Sequence, residues 1–199
     1  MTLVNTSLNE FKQGQDPYKT MGLGYPAQVK AWFDMWAPTV DYKLVGNEIM
    51  VDGDLEFYSE NISELLDHMS IDGELIIINC PEFTKLPNQL TVQRLDLSDG
   101  NRKFNSLPND LKCYGDMILS HSGITSLNDN MVIPGDLMLD ETNITRLPKN
   151  LKVEGDLDLQ STIFQTWQEL PDDLVVYGTL YLSQKKPKNI RYVEIDYYE

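Results

Sequence analysis

Residues 135–154 read GDLMLDETNITRLPKNLKVE, and Gly155-Asp156-Leu157 begins the same phrase again. Apolar side chains stand at Leu137, Leu139, Ile144, Leu147, Leu151 and Val153, Thr142 holds a polar slot, and Pro148 follows Leu147. Leu137/Leu139 and Leu151/Val153 alternate with period two, the spacing of short strands with one buried face. Twenty residues cannot bury such a face alone. Stacked on copies of themselves, they bury a continuous column, each turn covering the next.

The copies are present on both sides. Gly53-Asp54-Leu55, Gly73-Glu74-Leu75, the degenerate Gln93-Arg94-Leu95, Gly115-Asp116-Met117, Gly135-Asp136-Leu137, Gly155-Asp156-Leu157 and Gly178-Thr179-Leu180 follow at spacings of 20, 20, 22, 20, 20 and 23. Each opens an apolar-x-apolar pair, from Leu55/Phe57 to Leu180/Leu182. An apolar residue follows (Ile62, Phe83, Phe104, Ile124, Ile144, Phe164), and another three positions on (Leu65, Leu86, Leu107, Leu127, Leu147, Trp167). A second pair of the type Leu151-x-Val153 closes each turn, with Cys113 in one valine position. Gly-Asp reads as a corner, where glycine accepts positive φ and aspartate bonds the turn backbone.

Leu137-x-Leu139-x-x-Thr142-x-Ile144-x-x-Leu147 resembles the leucine-rich repeat, as do the copies at Met117 (Ser122 in the polar slot), Leu157 (Thr162) and Leu75 (Cys80). The chain departs from that family where Glu154 replaces the leucine three residues before Leu157, and the second pair adds a strand on another wall. The fold class expected is mainly β: a leucine-rich-repeat-like parallel β-solenoid with a small N-terminal α-helical cap. The domains expected are 1–50, helical cap and lead-in strands; 51–184, a solenoid of about seven turns; and 185–199, a closing segment.

At the N-terminal end, residues 6–11 read as a short helix start and 14–24 as a loop. Residues 27–36 read as a helix ended by Pro38, with Val29, Trp32, Phe33 and Trp36 on one face. Residues 41–51 read as a strand pair, and 62–71 as more helical than its counterparts. At the other end the basic 185–191 reads as a solvated loop and 191–197 as an edge strand. Phe11-Lys12-Gln13-Gly14-Gln15-Asp16-Pro17, Gly22-Leu23-Gly24 and Val29-x-x-Trp32 resemble repeat proteins encoded by tailed bacteriophages. That resemblance implies an origin and a setting in an infected bacterial cytoplasm rather than a mechanism.

The 199 residues carry 31 acidic and 16 basic side chains, a net charge of −15. Such a chain repels phosphate, so direct nucleic-acid binding is not expected and a protein partner with a basic surface is. The stretch 51–80 holds eight acids and no lysine or arginine, which places the most negative surface near the start of the solenoid. No apolar run approaches the length of a membrane span, and the N-terminus lacks a signal peptide's basic start and apolar core. With only two cysteines, Cys80 and Cys113, a reducing cytoplasmic location is expected and both thiols read as buried structural groups. Asn61-Ile62-Ser63 and Asn143-Ile144-Thr145 are formal glycosylation sequons and read as repeat chemistry.

No catalytic constellation, metal-ligand spacing or cofactor motif stands out. His68 reads as lying on a helical surface and His121 in a polar turn after a strand, in different repeats. The function expected is therefore non-enzymatic protein binding, without cofactor or metal, through an acidic and partly apolar repeat face. If the phage resemblance holds, the target is a host defence or nucleic-acid factor that is inhibited. The candidate contact residues face outward around the apolar-x-apolar pairs. They are Asp54, Glu56 and Tyr58, then Glu74, Ile76 and Ile78, then Asp96, then Asp116 and Ile118, then Asp136 and Met138, then Asp156 and Asp158. A structural subunit of a virion or other assembly is the alternative. A carboxylate-based polysaccharide-acting enzyme, using Asp156 and Asp158 near Trp167, ranks third. The oligomeric state is left open by the sequence.

Overall fold

The computed structural model describes residues 24–162 and 170–183. They fall into two compact units, divided after Thr39. In the first, helix α1 (Tyr25–Trp36) begins with Pro26 in its first turn, where the missing N–H breaks no helical bond. Val29, Trp32 and Phe33 are its buried residues, while Trp36 is only half-buried. The helix ends where the Ala37 N–H donates to the Phe33 carbonyl at 2.9 Å, with Pro38 next.

The second unit is a parallel β-solenoid. Strand β1 (Tyr42–Val45) turns back antiparallel onto β2 (Glu48–Val51), which is the strand pair read from the sequence. From there the chain winds through two strands per turn. One wall takes β3 (Leu55–Tyr58), β5 (Glu74–Ile78), β7 (Arg94–Asp96), β9 (Met117–Ile118), β11 (Leu137–Met138), β13 (Leu157–Asp158) and β15 (Leu180–Tyr181). These seven are hydrogen-bonded in a single parallel sheet, which makes six steps of the winding.

The second wall takes β2, β4 (Met69–Ile71), β6 (Thr91–Val92), β8 (Lys112–Cys113), β10 (Val132–Ile133), β12 (Lys152–Val153) and β14 (Val175–Val176). It is interrupted between β8 and β10, giving a five-stranded and a three-stranded sheet. Residue identity accounts for half of the gap. In neighbouring turns the residue after the inward one donates to the previous turn, as Tyr114 to Val92 at 3.1 Å and Glu154 to Ile133 at 2.8 Å. Pro134 stands in that position and has no N–H to give.

The core consists of the columns read from the repeat. Leu55, Leu75, Leu95, Leu137, Leu157 and Leu180 are each 0% exposed, as are Phe83, Phe104, Ile124 and Ile144 on the connecting side. Each such side chain is worth roughly 1.5–3 kcal/mol when withdrawn from water, so stacking supplies what no turn has alone.

Two local expectations are corrected. Residues 62–71 hold no helix. Their side chains Ile62, Leu65, Met69 and Ile71 are all buried in the core like those of other turns, and Glu64 bridges in parallel to Lys85. Repeat packing overrides the local helical pattern, and His68 sits not on a helix but in a left-handed turn at φ 62. Nor do the corner glycines serve positive φ: of the seven corners only Gly53 is left-handed, at φ 94. The left-handed non-glycine residues instead form two columns: Ser59, Asn79, Asp99, His121, Glu141 and Ser161 follow the first-wall strands, and His68, Gln89, Asn130 and Asn150 precede strands of the second wall. The readings at 6–11, at 11–17, at 14–24 apart from Gly24, at Phe164 and Trp167, and at 185–199 lie outside the described residues.

Candidate functional site

The outward face of the first wall brings the sequence-selected residues into rows. Strand pairing sets Glu56 beside Ile76, Ile76 beside Asp96, Asp96 beside Ile118, Ile118 beside Met138 and Met138 beside Asp158. Ile78 pairs with Tyr58 in the next column. Rows of a sheet are about 4.8 Å apart. The face thus carries half-buried Ile76, Ile78, Ile118 and Met138 among carboxylates, with Tyr58 51% exposed at its first strand. Because 62–71 forms part of the turn itself, no helix from that segment lies over Ile76 and Ile78.

The corner column of acids has a structural task. Asp54 Oδ1 accepts the Glu74 N–H at 2.8 Å, Asp116 Oδ1 that of Asp136 at 2.9 Å, Asp136 Oδ1 that of Asp156 at 2.8 Å, and Asp156 Oδ1 that of Thr179 at 2.7 Å. Each carboxylate therefore satisfies a backbone donor of the following turn, and a bond to a charged acceptor is among the stronger kinds. The same oxygen occupies the place where a Cβ would stand on Gly73, Gly135, Gly155 and Gly178. Glycine is needed there for close approach between turns. The turn chemistry was legible in sequence; that the Asp of one turn dictates the Gly of the next was not.

The exception supports the pairing. Glu74 turns its carboxylate to Arg94 at 2.5 Å, and the following corner carries Gln93 instead of glycine. Arg94 also meets Asp96 at 3.3 Å and Asp116 at 3.8 Å. Burial disfavours its charge, but the bond and charge of Glu74, with Asp96 and Asp116, outweigh that and raise its pKa further. Asp96 in turn accepts the Ser98 hydroxyl at 2.7 Å and is 8% exposed.

Farther along, Ser120 donates its hydroxyl to Asp140, and His121 lies 3.1 Å from Glu141, 3.6 Å from Asp99 and 3.8 Å from Asp140. Asp158 accepts the Gln160 N–H at 2.8 Å. Burial raises its carboxyl above the usual range and the Asp140 charge adds to this, against the opposing Gln160 bond. A raised folded value means the native state holds the proton more tightly, so stability falls as pH climbs past the ordinary carboxylate value. Asp158→Asn should therefore raise the melting temperature at pH 7 and leave it unchanged at pH 3. A lower melting temperature at pH 7 would show that the charge is tolerated without cost.

Behind this face runs a buried polar column. Thr142 and Thr162 donate their hydroxyls to the Leu139 and Leu159 carbonyls at 2.7 and 2.8 Å. In the third turn the slot is filled by Asn101, fully buried, which the sequence reading passed over. Its Nδ2 donates to the carbonyls of Ile77 at 2.5 Å and Leu97 at 2.8 Å, while its Oδ1 accepts the Cys80 N–H at 3.0 Å. The available signal was the 22-residue spacing, two residues longer than usual, since one of the two is Gly100 at φ 81, directly before Asn101. Cys80 is buried as expected, whereas Cys113 is only half-buried; burial pushes both thiols up.

The acidic stretch 51–80 does not make one negative patch, because it spans more than a full turn. Glu56 and Glu74 fall on the first wall, Asp72 follows a strand of the second, and Glu64 lies on the connection between them. Among the described residues, no group of three or more His, Cys, Asp or Glu side chains could hold a metal ion, and no helix is long and apolar enough to cross a membrane. Asp156, considered above as half of a carboxylate pair, is committed to Thr179 and lies 3.4 Å from the Tyr181 hydroxyl. No family model matches this chain, and neither a curated protein nor a solved structure is significantly similar to it.

Proposed function

We propose that the solenoid is a non-catalytic protein-binding module whose first wall takes a partner with a basic, partly apolar surface. One observation carries the reading. The outward face of this sheet sets Ile76, Ile78, Ile118 and Met138 in a field of nine carboxylates (54, 56, 74, 96, 116, 136, 140, 156 and 158) with Arg94 as its one base. An apolar centre with a charged rim is the composition of a protein interface, and the uniform sign steers a basic partner toward it. The finer placement as a leucine-rich-repeat-like, phage-encoded protein in the bacterial cytoplasm rests on the sequence resemblances, and the inhibition of a host defence or nucleic-acid factor rests on the fit of an acidic face to a basic groove.

The test must spare the acids that hold the stack together. Asp54, Asp116, Asp136 and Asp156 are unsuitable, since their substitution would disturb the corners. Ile118→Lys with Met138→Lys changes the face without removing a hydrogen bond, and adds cations to an acidic surface. Capture from bacterial lysate, read by mass spectrometry, should retain a specific protein with the wild type and lose it with this double variant. Equal retention by both would reject the first wall as the contact surface.

A further inference from the structure

The strongest unassigned feature is the outward face of the second wall. Among the described residues, seven large apolar side chains are exposed, and six of them belong to this side: Val45, Met50, Tyr114, Val132, Val175 and Tyr177. Four of these six gather over β8, β10, β12 and β14. Strand pairing places Val132 beside Lys152 and Lys152 beside Val175. Tyr114 and Tyr177 stand just beyond strands β8 and β14, exposed by 57% and 67%. The Lys152 ammonium lies 5.1 Å from the Tyr177 ring centroid and 2.8 Å from Glu154. With Lys112 in the same column, this strip carries two lysines and Glu154, with exposed Asp110 and Asp173 at its edge two residues before Lys112 and Val175, in a chain of net charge −15.

The first wall over the same turns is its complement, with Asp116, Asp136, Asp156, Asp140 and Asp158 around Ile118 and Met138. Both walls belong to one winding, so they share one axial period. Lys112 and Lys152 are two turns apart, about 10 Å, and so are Asp116 and Asp156. A face with alternating lysine and valine can therefore meet a face of carboxylates and half-buried apolar residues in register, row for row. Covering exposed tyrosine and valine on a surface rimmed by charge is the usual work of an interface.

We propose that the occupant of the first wall is a second copy of this chain, presenting its second wall. This rests on the reading of the first wall as a binding face and names its partner. Because the two contacting surfaces differ, the contact is heterologous: each copy keeps one wall of each kind unsatisfied, and association continues to a ring or an open array.

Sedimentation velocity on the full chain tests this with two variants. One is altered on the second wall (Lys112→Glu, Lys152→Glu) and the other on the first (Ile118→Lys, Met138→Lys), and circular-dichroism melts verify that both fold. The wild type should sediment above the single-chain mass and grow with concentration. Each variant alone should be monomeric, and an equal mixture should give a dimer that grows no further, since just one intact pair of walls remains. A wild type that stays monomeric overturns the inference, as does a dimer that both variants retain. So does a mixture that remains monomeric while the wild type associates, since the two intact walls would then fail to bind each other, and so does either variant that dimerises alone, which would mean that like walls pair. If the wild type is monomeric yet still captures a lysate protein through Ile118 and Met138, self-association fails and the binding reading survives.

Discussion

Gly155→Ala is expected to destabilise the solenoid by about 3 kcal/mol or more, a large share of the roughly 5–15 kcal/mol that holds a domain folded. An added Cβ would collide with Asp136 Oδ1 and would stand 2.7 Å from the Gly135 carbonyl carbon and 2.9 Å from the Asp136 nitrogen. Two of these three atoms are backbone, so a rotamer change cannot clear the space. To make room, Asp136 must leave the Asp156 N–H that it now accepts at 2.8 Å, and that donor lies in a part-buried corner. Overpacking and a lost charge-assisted bond each cost on the order of 1–3 kcal/mol.

The pair makes the argument specific. Asp136→Ala alone should cost about 1–2 kcal/mol through the lost bond. In the double variant the side-chain collision is gone but the backbone one remains. The two changes together should therefore cost clearly less than their sum, a coupling expected of groups in contact. Urea denaturation of the four proteins measures this. An unchanged midpoint for Gly155→Ala would remove the close-approach account of the corner glycines altogether.

The second large effect is expected at Asn101. Asn101→Leu leaves the Cys80 N–H and the Ile77 carbonyl without their buried partner and should cost about 3 kcal/mol. Asn101→Asp should be worse at neutral pH, although it is nearly the same shape. The donor that faces the Ile77 and Leu97 carbonyls becomes a carboxylate oxygen, and a buried charge then confronts two acceptors. Both effects favour the protonated acid, so its folded pKa rises above the unfolded one. The variant should regain stability as pH falls toward the ordinary carboxylate value and lose it as pH rises. Urea midpoints at pH 7 and pH 4, each relative to the wild type, should show a deficit that shrinks at the lower pH. A deficit of equal size at both values would mean that the carboxylate is solvated and the slot is not dry.

Much of the solenoid was legible because burial imposes a period. Leu137, Leu139, Ile144, Leu147, Leu151 and Val153 mark one turn, and every described member of their columns lies in the core or at its margin. Local patterns were weaker guides. The apolar spacing of 62–71 looks helical within that segment, but Ile62, Leu65, Met69 and Ile71 answer to residues in the neighbouring turns. The contact face was read in part. Its rows of Glu56, Ile76, Asp96, Ile118, Met138 and Asp158 come together as the repeat requires. The sequence did not reveal that four of the five corner acids are consumed in backbone bonds, nor that six of the seven exposed large apolar side chains among the described residues lie on the other wall.

By itself, then, the sequence determined the winding: its period, its two walls and the identity of the inward columns, since each is a property of residues within one turn. Only the tertiary structure decided what depends on the relation between turns. Gly155 is glycine because of Asp136, nineteen residues earlier, and the polar slot of the third turn belongs to Asn101 because Cys80 in the turn before needs an acceptor. Pro134 removes one of the backbone bonds at the gap in the second wall, having no N–H to donate to the turn behind it. Stacking converts these distant residues into neighbours about 4.8 Å apart, a distance at which a single methyl group or a single missing N–H is felt.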